Sequence, residues 1–352
     1  MAELRLTNGA RKFFENPPPS YVNRHGDIEV LHDLSLGVLD PSDPVSRYND
    51  PNFTRLKGAI SSLFGMNPEM ISLGTGIDSI LESIPQIFEG EIVTTSPDFP
   101  RFAEIGIRHD REMHTVRRNP SNSFAFDDST IDDLLDMMDN EQKIVMLSTP
   151  NNPTGHLIPI ESLYKLSQKA NEGHLLVLDL AYGEFAGTDY VNKVVDLASK
   201  SRNVIALLTC SKARGIAGIA RVGYSISDPS VASAIEKWRL PFVVSGENEA
   251  IDSIKNTQSL GRVIYDVNEK RNYIESIVAA NPNVDMINNG KTNTILVRGI
   301  GFDVADYLHK KGIKSSPHDW LKDSNGTSLG YTRVTLGNWE SVRSLGNAIE
   351  QL

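Results

Sequence analysis

Short runs of apolar residues, rich in Val, Ile and Leu, recur through the middle of the chain and restrict its fold more than any other feature. They cover residues 92–95, 144–148, 175–180, 204–209 and 222–226. Stretches with apolar residues at helical spacing lie between them, as at residues 131–138. Strands that are apolar on both faces and alternate with helices are typical of a parallel sheet covered by helices on both sides. The sequence therefore predicts an α/β fold whose large domain is a mostly parallel sheet sandwiched by helices.

The length of the chain, 352 residues, exceeds what one simple core usually holds and predicts two domains. Residues 1–45 are polar and interrupted by prolines, so we expect an N-terminal arm or part of the small domain there. Residues 46–245 carry the apolar runs and are predicted to form the large domain. Residues 246–352 are predicted to form a smaller α+β domain that begins with a long linking helix.

The composition argues against several classes of protein. A net charge of −10 without a basic stripe disfavours nucleic acid as a partner. No apolar run approaches the length of a membrane span, and the single cysteine, Cys210, cannot form an internal disulfide framework. We therefore expect a cytoplasmic protein with no membrane or nucleic-acid partner. The eight histidines lack the spacing of metal ligands, so no metal site is predicted.

Lys212 follows the apolar run 204–209 closely, and a glycine-rich stretch and Arg221 come after it. Burial at the end of a strand that excludes water can tune the pKa of a lysine amine for reaction with a carbonyl compound. The alternative is a surface lysine that caps the strand with its ammonium group in water. Lys212 alone does not decide between these two interpretations.

Other polar residues are predicted to follow strands, where ligands bind in open parallel sheets. The segment 74–78 (Gly-Thr-Gly-Ile-Asp) lies between a strand and a helix, so it is either a phosphate cradle or an ordinary turn. Asp179 directly follows apolar residues and is either a helix cap, half of a buried ion pair, or the partner of a protonated ring nitrogen. Tyr182 adds a phenol donor near it, and Arg333 either pairs with an internal carboxylate or binds an anionic group of a ligand.

Three motifs occur in an informative order: Pro-Asn-Asn-Pro-Thr-Gly (150–155), Asp-Leu-Ala-Tyr (179–182) and Ser-Lys-Ala-Arg-Gly-Ile-Ala-Gly (211–218). Together they resemble the fold-type I pyridoxal-phosphate aminotransferases, in particular their histidinol-phosphate aminotransferase-like branch. The match covers roughly residues 48–333. One departure is an extra residue between Gly218 and Arg221, which requires the loop to bulge if Arg221 is to reach a bound phosphate.

The resemblance implies roles for individual residues. Lys212 would form the Schiff base with pyridoxal 5'-phosphate and shuttle a proton. Asp179 would pair with the pyridinium nitrogen, and Tyr182 would bind the phenolic oxygen, which gives three expected catalytic residues. Other residues implied to bind the cofactor are Gly76, Ile77, Phe99, Asn152, Thr209, Ser211, Arg221 and, across a dimer interface, Tyr48. Residues implied to bind the substrate are Arg333 and Asn293.

The function implied by the resemblance is a homodimeric aminotransferase. It would move an amino group from a small-molecule amino donor, an amino acid or a similar amine with an acidic group, to a 2-oxo acid acceptor. A decarboxylase, lyase or oxidase with the same cofactor and fold is the first alternative, because the ring accepts electrons from any bond held perpendicular to it. A nucleotide-binding or regulatory module that uses residues 74–78 for phosphate is the second.

Overall fold

The computed structural model describes residues 3–17, 50–139, 141–241 and 244–352. A short helix near the N-terminus, α1 (Asn8–Glu15), precedes the large unit. The elements of that unit are α2 (Thr54–Phe64), β1 (Ile71–Gly74), α3 (Gly76–Ile87), β2 (Glu91–Ser96), α4 (Arg101–Arg108), β3 (Met113–Arg117), α5 (Asp128–Met137), β4 (Lys143–Ser148), α6 (Ile160–Ala170), β5 (Leu175–Asp179), α7 (Thr188–Lys200), β6 (Val204–Thr209), β7 (Gly223–Ile226) and α8 (Pro229–Trp238).

These strands form one seven-stranded sheet with the order β1-β7-β6-β5-β4-β2-β3. Strands β2 to β6 pair in parallel, whereas β7 pairs antiparallel with both of its neighbours, β6 and β1. The predicted α/β fold with a mostly parallel sheet is thus confirmed. β3 was not predicted, because only one of its five residues, Val116, is buried and the strand lies at the edge of the sheet.

The central strands are buried on both faces, as their continuous apolar runs predict. In β5, Leu176 and Leu178 pack in one cluster with α2, α5, α6 and α7. Leu175 and Val177 point to the opposite face and pack in a second cluster with α3, α4 and α8. The alternation follows from the period of two in a β-strand, and it fixes which residues at the strand ends face a ligand.

The C-terminal part of the chain forms a smaller antiparallel sheet with the order β10-β11-β9-β8. Its elements are α9 (Glu247–Lys255), α10 (Thr257–Ala280), β8 (Val284–Met286), β9 (Thr294–Gly299), α11 (Val304–Lys310), β10 (Ser316–Pro317), β11 (Tyr331–Thr335) and α12 (Trp339–Glu350). Its core, built around Ile274, Val297 and Leu345, is a separate apolar cluster. The predicted second α+β unit is therefore present, although β8 and β10 were too short to predict.

Two details bear on the predicted division at residues 45 and 245. The region predicted to begin with a long linking helix forms two helices, and Ile251 and Ile254 of α9 pack in the core of the large unit, whereas Ile274 of α10 packs in that of the smaller one. α1, which lies in the predicted N-terminal arm, packs on α8, with the rings of Phe13 and Trp238 5.4 Å apart. The boundaries themselves stay a prediction. Within the described residues, no helix has the length and apolarity needed to cross a bilayer.

Candidate active site

One cavity lies at the carboxyl ends of β4, β5 and β6. Ser148, Asp179 and Thr209, the last residues of these three strands, line it, together with residues from the start of α3 and the loops that follow the strands. The structure brings together ten of the predicted site residues in its lining: Gly76, Ile77, Phe99, Asn152, Asp179, Tyr182, Thr209, Ser211, Lys212 and Arg221. Asp78, Ser148 and Ala181 also line the cavity but were not predicted. Ser148 could have been found, since it ends a predicted strand.

The start of α3 forms one end of the cavity. Its first N–H groups have no acceptor within the helix, so they are available to an anion, and the helix dipole favours negative charge there. Gly76 has a φ of +65°, and a Cβ at this position would lie 3.1 Å from Nη2 of Arg221. Glycine therefore allows both the left-handed turn and the close approach of the guanidinium.

Arg221 reaches the same end of the cavity in spite of the longer loop. Nη1 of Arg221 donates to Oγ of Ser211 at 3.3 Å, and the N–H of Ser211 donates to Oγ1 of Thr209 at 3.1 Å. The loop accommodates the extra residue by turning on itself, with N–H groups of residues 219 and 220 both donating to the carbonyl of residue 216. The predicted bulge is present, and two hydroxyls, a guanidinium and helix N–H groups converge there.

Asp179 lies at another part of the cavity wall and is 3% exposed. Within the described residues, the hydrogen bond that its carboxylate accepts comes from the N–H of Ala181 at 2.8 Å. Burial raises the pKa of Asp179 to about 7, with help from Asp98 and Asp78, while the Ala181 N–H and Lys212 oppose the rise. A buried carboxylate with one short backbone contact has room for a cationic donor in the cavity.

Lys212 projects its amine toward the aromatic wall of the cavity. Nζ of Lys212 lies 5.3 Å from the centre of the Tyr182 ring, within the range of a cation–π contact. Lys212 is exposed, which agrees with the surface-lysine interpretation, and it also lines the cavity, which the reactive-amine interpretation requires. Its position after β6, in a loop that turns back toward the sheet, explains both the exposure and the contact with the cavity.

Arg333 of β11 connects the small sheet to the cavity. Nη1 of Arg333 donates to Oδ1 of Asn152 at 2.9 Å, so its partner within the described residues is a neutral amide and not the internal carboxylate of the first interpretation. Asn293 lies outside the cavity lining, and its carbonyl accepts a hydrogen bond from the N–H of Leu336 at 2.8 Å. Tyr48 lies outside the described residues. The roles expected of Asn293 and Tyr48 stay predictions.

A group of three side chains that could hold a metal ion lies outside this cavity's lining, at the start of β2 and around the start of β3. Ligand atoms of Glu91, Glu112 and His114 lie within 4.8 Å of one another. Glu91 is already bound by Nζ of Lys143 at 2.6 Å and by His114 at 2.8 Å. Ion pairs within the protein account for this cluster without a metal.

The arrangement of the cavity suits a ligand with an anionic group at one end and a basic nitrogen elsewhere. α3, Ser211 and Arg221 supply donors for the anion, Asp179 supplies a carboxylate for the nitrogen, and Lys212 supplies an amine that can react with a carbonyl. These residues lie at or after the ends of β5 and β6, just before β7 and at the start of α3, which is why the order of the motifs along the sequence was informative.

Comparison with known proteins identifies the family. A model of the family described as aminotransferase class I and II matches residues 22–254. A histidinol-phosphate aminotransferase of Macrococcus caseolyticus is 30% identical over 240 residues, which are 67% of this chain and 67% of that protein. One from Parabacteroides distasonis is 27% identical over 93% of this chain and 92% of its own.

A solved structure agrees with these relatives. The crystal structure of histidinol-phosphate aminotransferase from Sinorhizobium meliloti in complex with pyridoxal-5'-phosphate matches with a TM-score of 0.71 and 28% identity. The match covers 87% of this chain and 82% of that one. The chain therefore belongs to the class I and II aminotransferases.

Proposed function

We propose that this protein is a pyridoxal-5'-phosphate-dependent aminotransferase in which Lys212 is the residue that binds the cofactor covalently. The observation that supports it most is the convergence of Lys212, Asp179 and Arg221 on one cavity, although Asp179 ends β5, Lys212 follows β6 and Arg221 precedes β7. A surface lysine or a plain turn would not require a buried carboxylate and an anion cradle beside it.

The donor set fits this cofactor. The N–H groups of Gly76 and Ile77, the Ser211 hydroxyl and the Arg221 guanidinium would hold its phosphate. Asp179 would bind its ring nitrogen, Phe99 would stack on the ring, and Asn152 and Tyr182 would bind its phenolic oxygen. A Cβ at Gly76 would lie 3.1 Å from the Arg221 guanidinium. Glycine at this position therefore lets one phosphate contact both the N–H groups of α3 and Arg221.

The chemistry that pyridoxal phosphate supplies when bound is an electron-accepting ring conjugated to a carbonyl carbon. Asp179 keeps a proton on the ring nitrogen, since a buried carboxylate is stabilised by a cationic partner and penalised without one. Lys212, when its amine is free, would take up the proton that leaves the substrate Cα and release it again, acting through Nζ. Tyr182 and Asn152 would hold the phenolic oxygen and so orient the ring.

Arg333 is proposed to bind the acidic group of the substrate. Its guanidinium is half-buried and lies on the neutral amide of Asn152, so its charge remains available to a ligand carboxylate or phosphate. The substrate is then an amino acid, or an amine with an acidic group, and the acceptor is a 2-oxo acid. Histidinol phosphate, the substrate named for the relatives, is the first amine to test. A homodimer, with Tyr48 of one chain at the other's phosphate, and a cytoplasmic location stay predictions.

The experiment that tests this function uses the protein with pyridoxal phosphate and a panel of amino donors. Transamination converts each amino donor into its oxo product and one 2-oxo acid acceptor into an amino acid, without release of carbon dioxide and with a change in the visible absorption of the cofactor. Lys212→Ala should lose the visible band, whereas Lys193→Ala, which removes a surface lysine paired with Asp189, should keep it. A normal visible band in Lys212→Ala would refute the assignment, and release of carbon dioxide would favour a decarboxylase.

A further inference from the structure

A second buried carboxylate, Asp98, lies behind the cavity and takes no part in the function proposed above. It is 6% exposed and lies in the loop after β2. Its Oδ1 accepts from the N–H of Phe99 at 2.8 Å, from the N–H of Ser148 at 3.2 Å and from the hydroxyl of Ser148. Its Oδ2 accepts from the hydroxyl of Thr95 at 2.8 Å. Backbone N–H groups can only donate, so these hydrogen bonds favour the ionised carboxylate against the effect of burial.

A buried arginine supplies the charge that opposes Asp98. Arg118 is 2% exposed, and its guanidinium donates to Oδ1 of Asn151 at 2.7 Å and to the carbonyl oxygens of Pro97 and Phe124. Nδ2 of Asn151 donates in turn to Oγ of Ser148 at 3.1 Å, and Ser148 donates to Asp98. Burial raises the pKa of Asp98 to about 6 while Arg118 opposes the rise, so the carboxylate stays charged at neutral pH.

Asp98 is coupled to Asp179 through the sheet. Ser148, which binds Asp98 through both its N–H and its hydroxyl, is the register partner of Asp179 in the parallel pair β4–β5. Thr149, the next residue, donates its N–H to the Asp179 carbonyl at 2.9 Å. Asp98 therefore places a fixed negative charge close to the carboxylate that lines the cavity. The other charged groups that act on Asp179 are Asp78 and Lys212.

We propose that Asp98 is a positioning residue that strengthens the hold of Asp179 on the protonated ring nitrogen, by adding a second negative charge behind it. The inference rests on the proposed function, since it requires a cofactor with a basic nitrogen at Asp179. Asp98 and Asp179 are both buried, so the charge of Asp98 acts on Asp179 with much less screening than at the surface. Arg118, linked through Asn151 and Ser148, keeps that charge in place without approaching the ring nitrogen itself.

A purely structural role for Asp98 makes different predictions. If Asp98 only braced the loop before Phe99, its shape and hydrogen bonds would matter and its charge would not. Asp98→Asn keeps the shape and removes the charge, whereas Asp98→Glu keeps the charge and changes the shape. The two variants therefore separate the electrostatic role from the structural one.

The test follows the ring nitrogen of ¹⁵N-labelled pyridoxal phosphate by NMR in the holoenzyme, from about pH 6 to about pH 10. Asp98→Asn should lower the pH at which the nitrogen loses its proton by about one pKa unit, a tenfold change in proton affinity. Asp98→Glu should stay close to wild type. If Asp98→Asn does not fold, Asp98→Ser, which is also neutral, should give the same shift.

Two results would overturn the inference. One is a ring-nitrogen signal in Asp98→Asn, or in Asp98→Ser where that variant replaces it, that matches wild type over the whole pH range. The other is an equal shift in the neutral variant and in Asp98→Glu, which would indicate that shape and not charge is at work. Failure of the proposed function is distinguishable, because the wild-type protein would then show no bound-cofactor signal at all.

Discussion

The buried carboxylate of Asp179 should make the cofactor-free protein less stable than it would be with a neutral residue there. Burial raises the pKa of Asp179 from 3.8 to about 7. Because the pKa is higher in the folded chain, that chain binds more protons than the unfolded one between pH 4 and pH 7. Stability therefore falls as the pH rises through this window, and the full penalty is present above pH 7.

The size of the penalty follows from the same pKa values. At 1.36 kcal/mol for each pKa unit, the difference between 3.8 and about 7 corresponds to about 4 kcal/mol. Asp179→Asn removes the charge and keeps the shape, so we expect the cofactor-free variant to gain about 2–4 kcal/mol near pH 8. The gain should shrink to below about 1 kcal/mol near pH 4, where the wild-type carboxyl is protonated in the folded chain and about half protonated in the unfolded one.

The assay is denaturant unfolding of the two cofactor-free proteins at both pH values. Adding pyridoxal phosphate should then stabilise the wild type and have a much smaller effect on Asp179→Asn, since the variant has no charge for the ring nitrogen. Equal or lower stability of cofactor-free Asp179→Asn at pH 8 would show that Asp179 is not an unpaired buried charge, and the reasoning about its role would be wrong.

Three further predictions concern the start of α3, a buried ion pair outside the cavity lining, and Arg333. Gly76→Ala should weaken pyridoxal-phosphate binding about tenfold or more, measured by titration of the visible band. The reason is that a residue with a Cβ is strained at a φ of +65° and that the Cβ would displace Arg221. Unchanged affinity would contradict the phosphate role. The side chain of Arg214 is 2% exposed and pairs with Glu184 at 2.7 Å. Glu184→Gln leaves Arg214 as a lone buried charge, so it should destabilise the protein by about 3–5 kcal/mol in denaturant unfolding. A double variant with Arg214→Met should recover part of that loss, and no recovery would contradict the pairing. Arg333→Met should raise KM for amines with an acidic group and leave the affinity for pyridoxal phosphate unchanged in steady-state kinetics; equal loss of both would count against a substrate role.

Most of the large sheet was predictable because its strands are continuous apolar runs. The runs that end at Ser148 and Thr209 are strands whose ends in the structure are the same residues, and the run 175–180 ends one residue beyond β5. Since ligands bind at the carboxyl ends of parallel strands, placing the strands also placed Asp179 and Lys212 near one another. The apolar runs in the sequence thus predicted both the fold and the residues at the centre of the site.

Features that depend on long-range packing were not predictable. β3 has one buried residue in five, so it lacks an apolar run. α1 packs against the large unit through contacts such as that of Phe13 with Trp238, which the sequence does not indicate. Asp98 and Arg118 look like ordinary loop polar residues in the sequence, and only the fold reveals that both are buried. The sequence left both an exposed and a buried Lys212 open, because its exposure depends on how the loop after β6 turns.

The account rests on a covalent bond between Lys212 and pyridoxal phosphate, and chemical mapping tests that bond most directly. The holoenzyme is reduced with borohydride, digested, and its labelled peptide is identified by mass spectrometry. The account predicts one labelled site, at Lys212 in the segment 209–221. A label at another lysine, or a protein that retains no label after reduction, would contradict the assignment of this cavity as the active site.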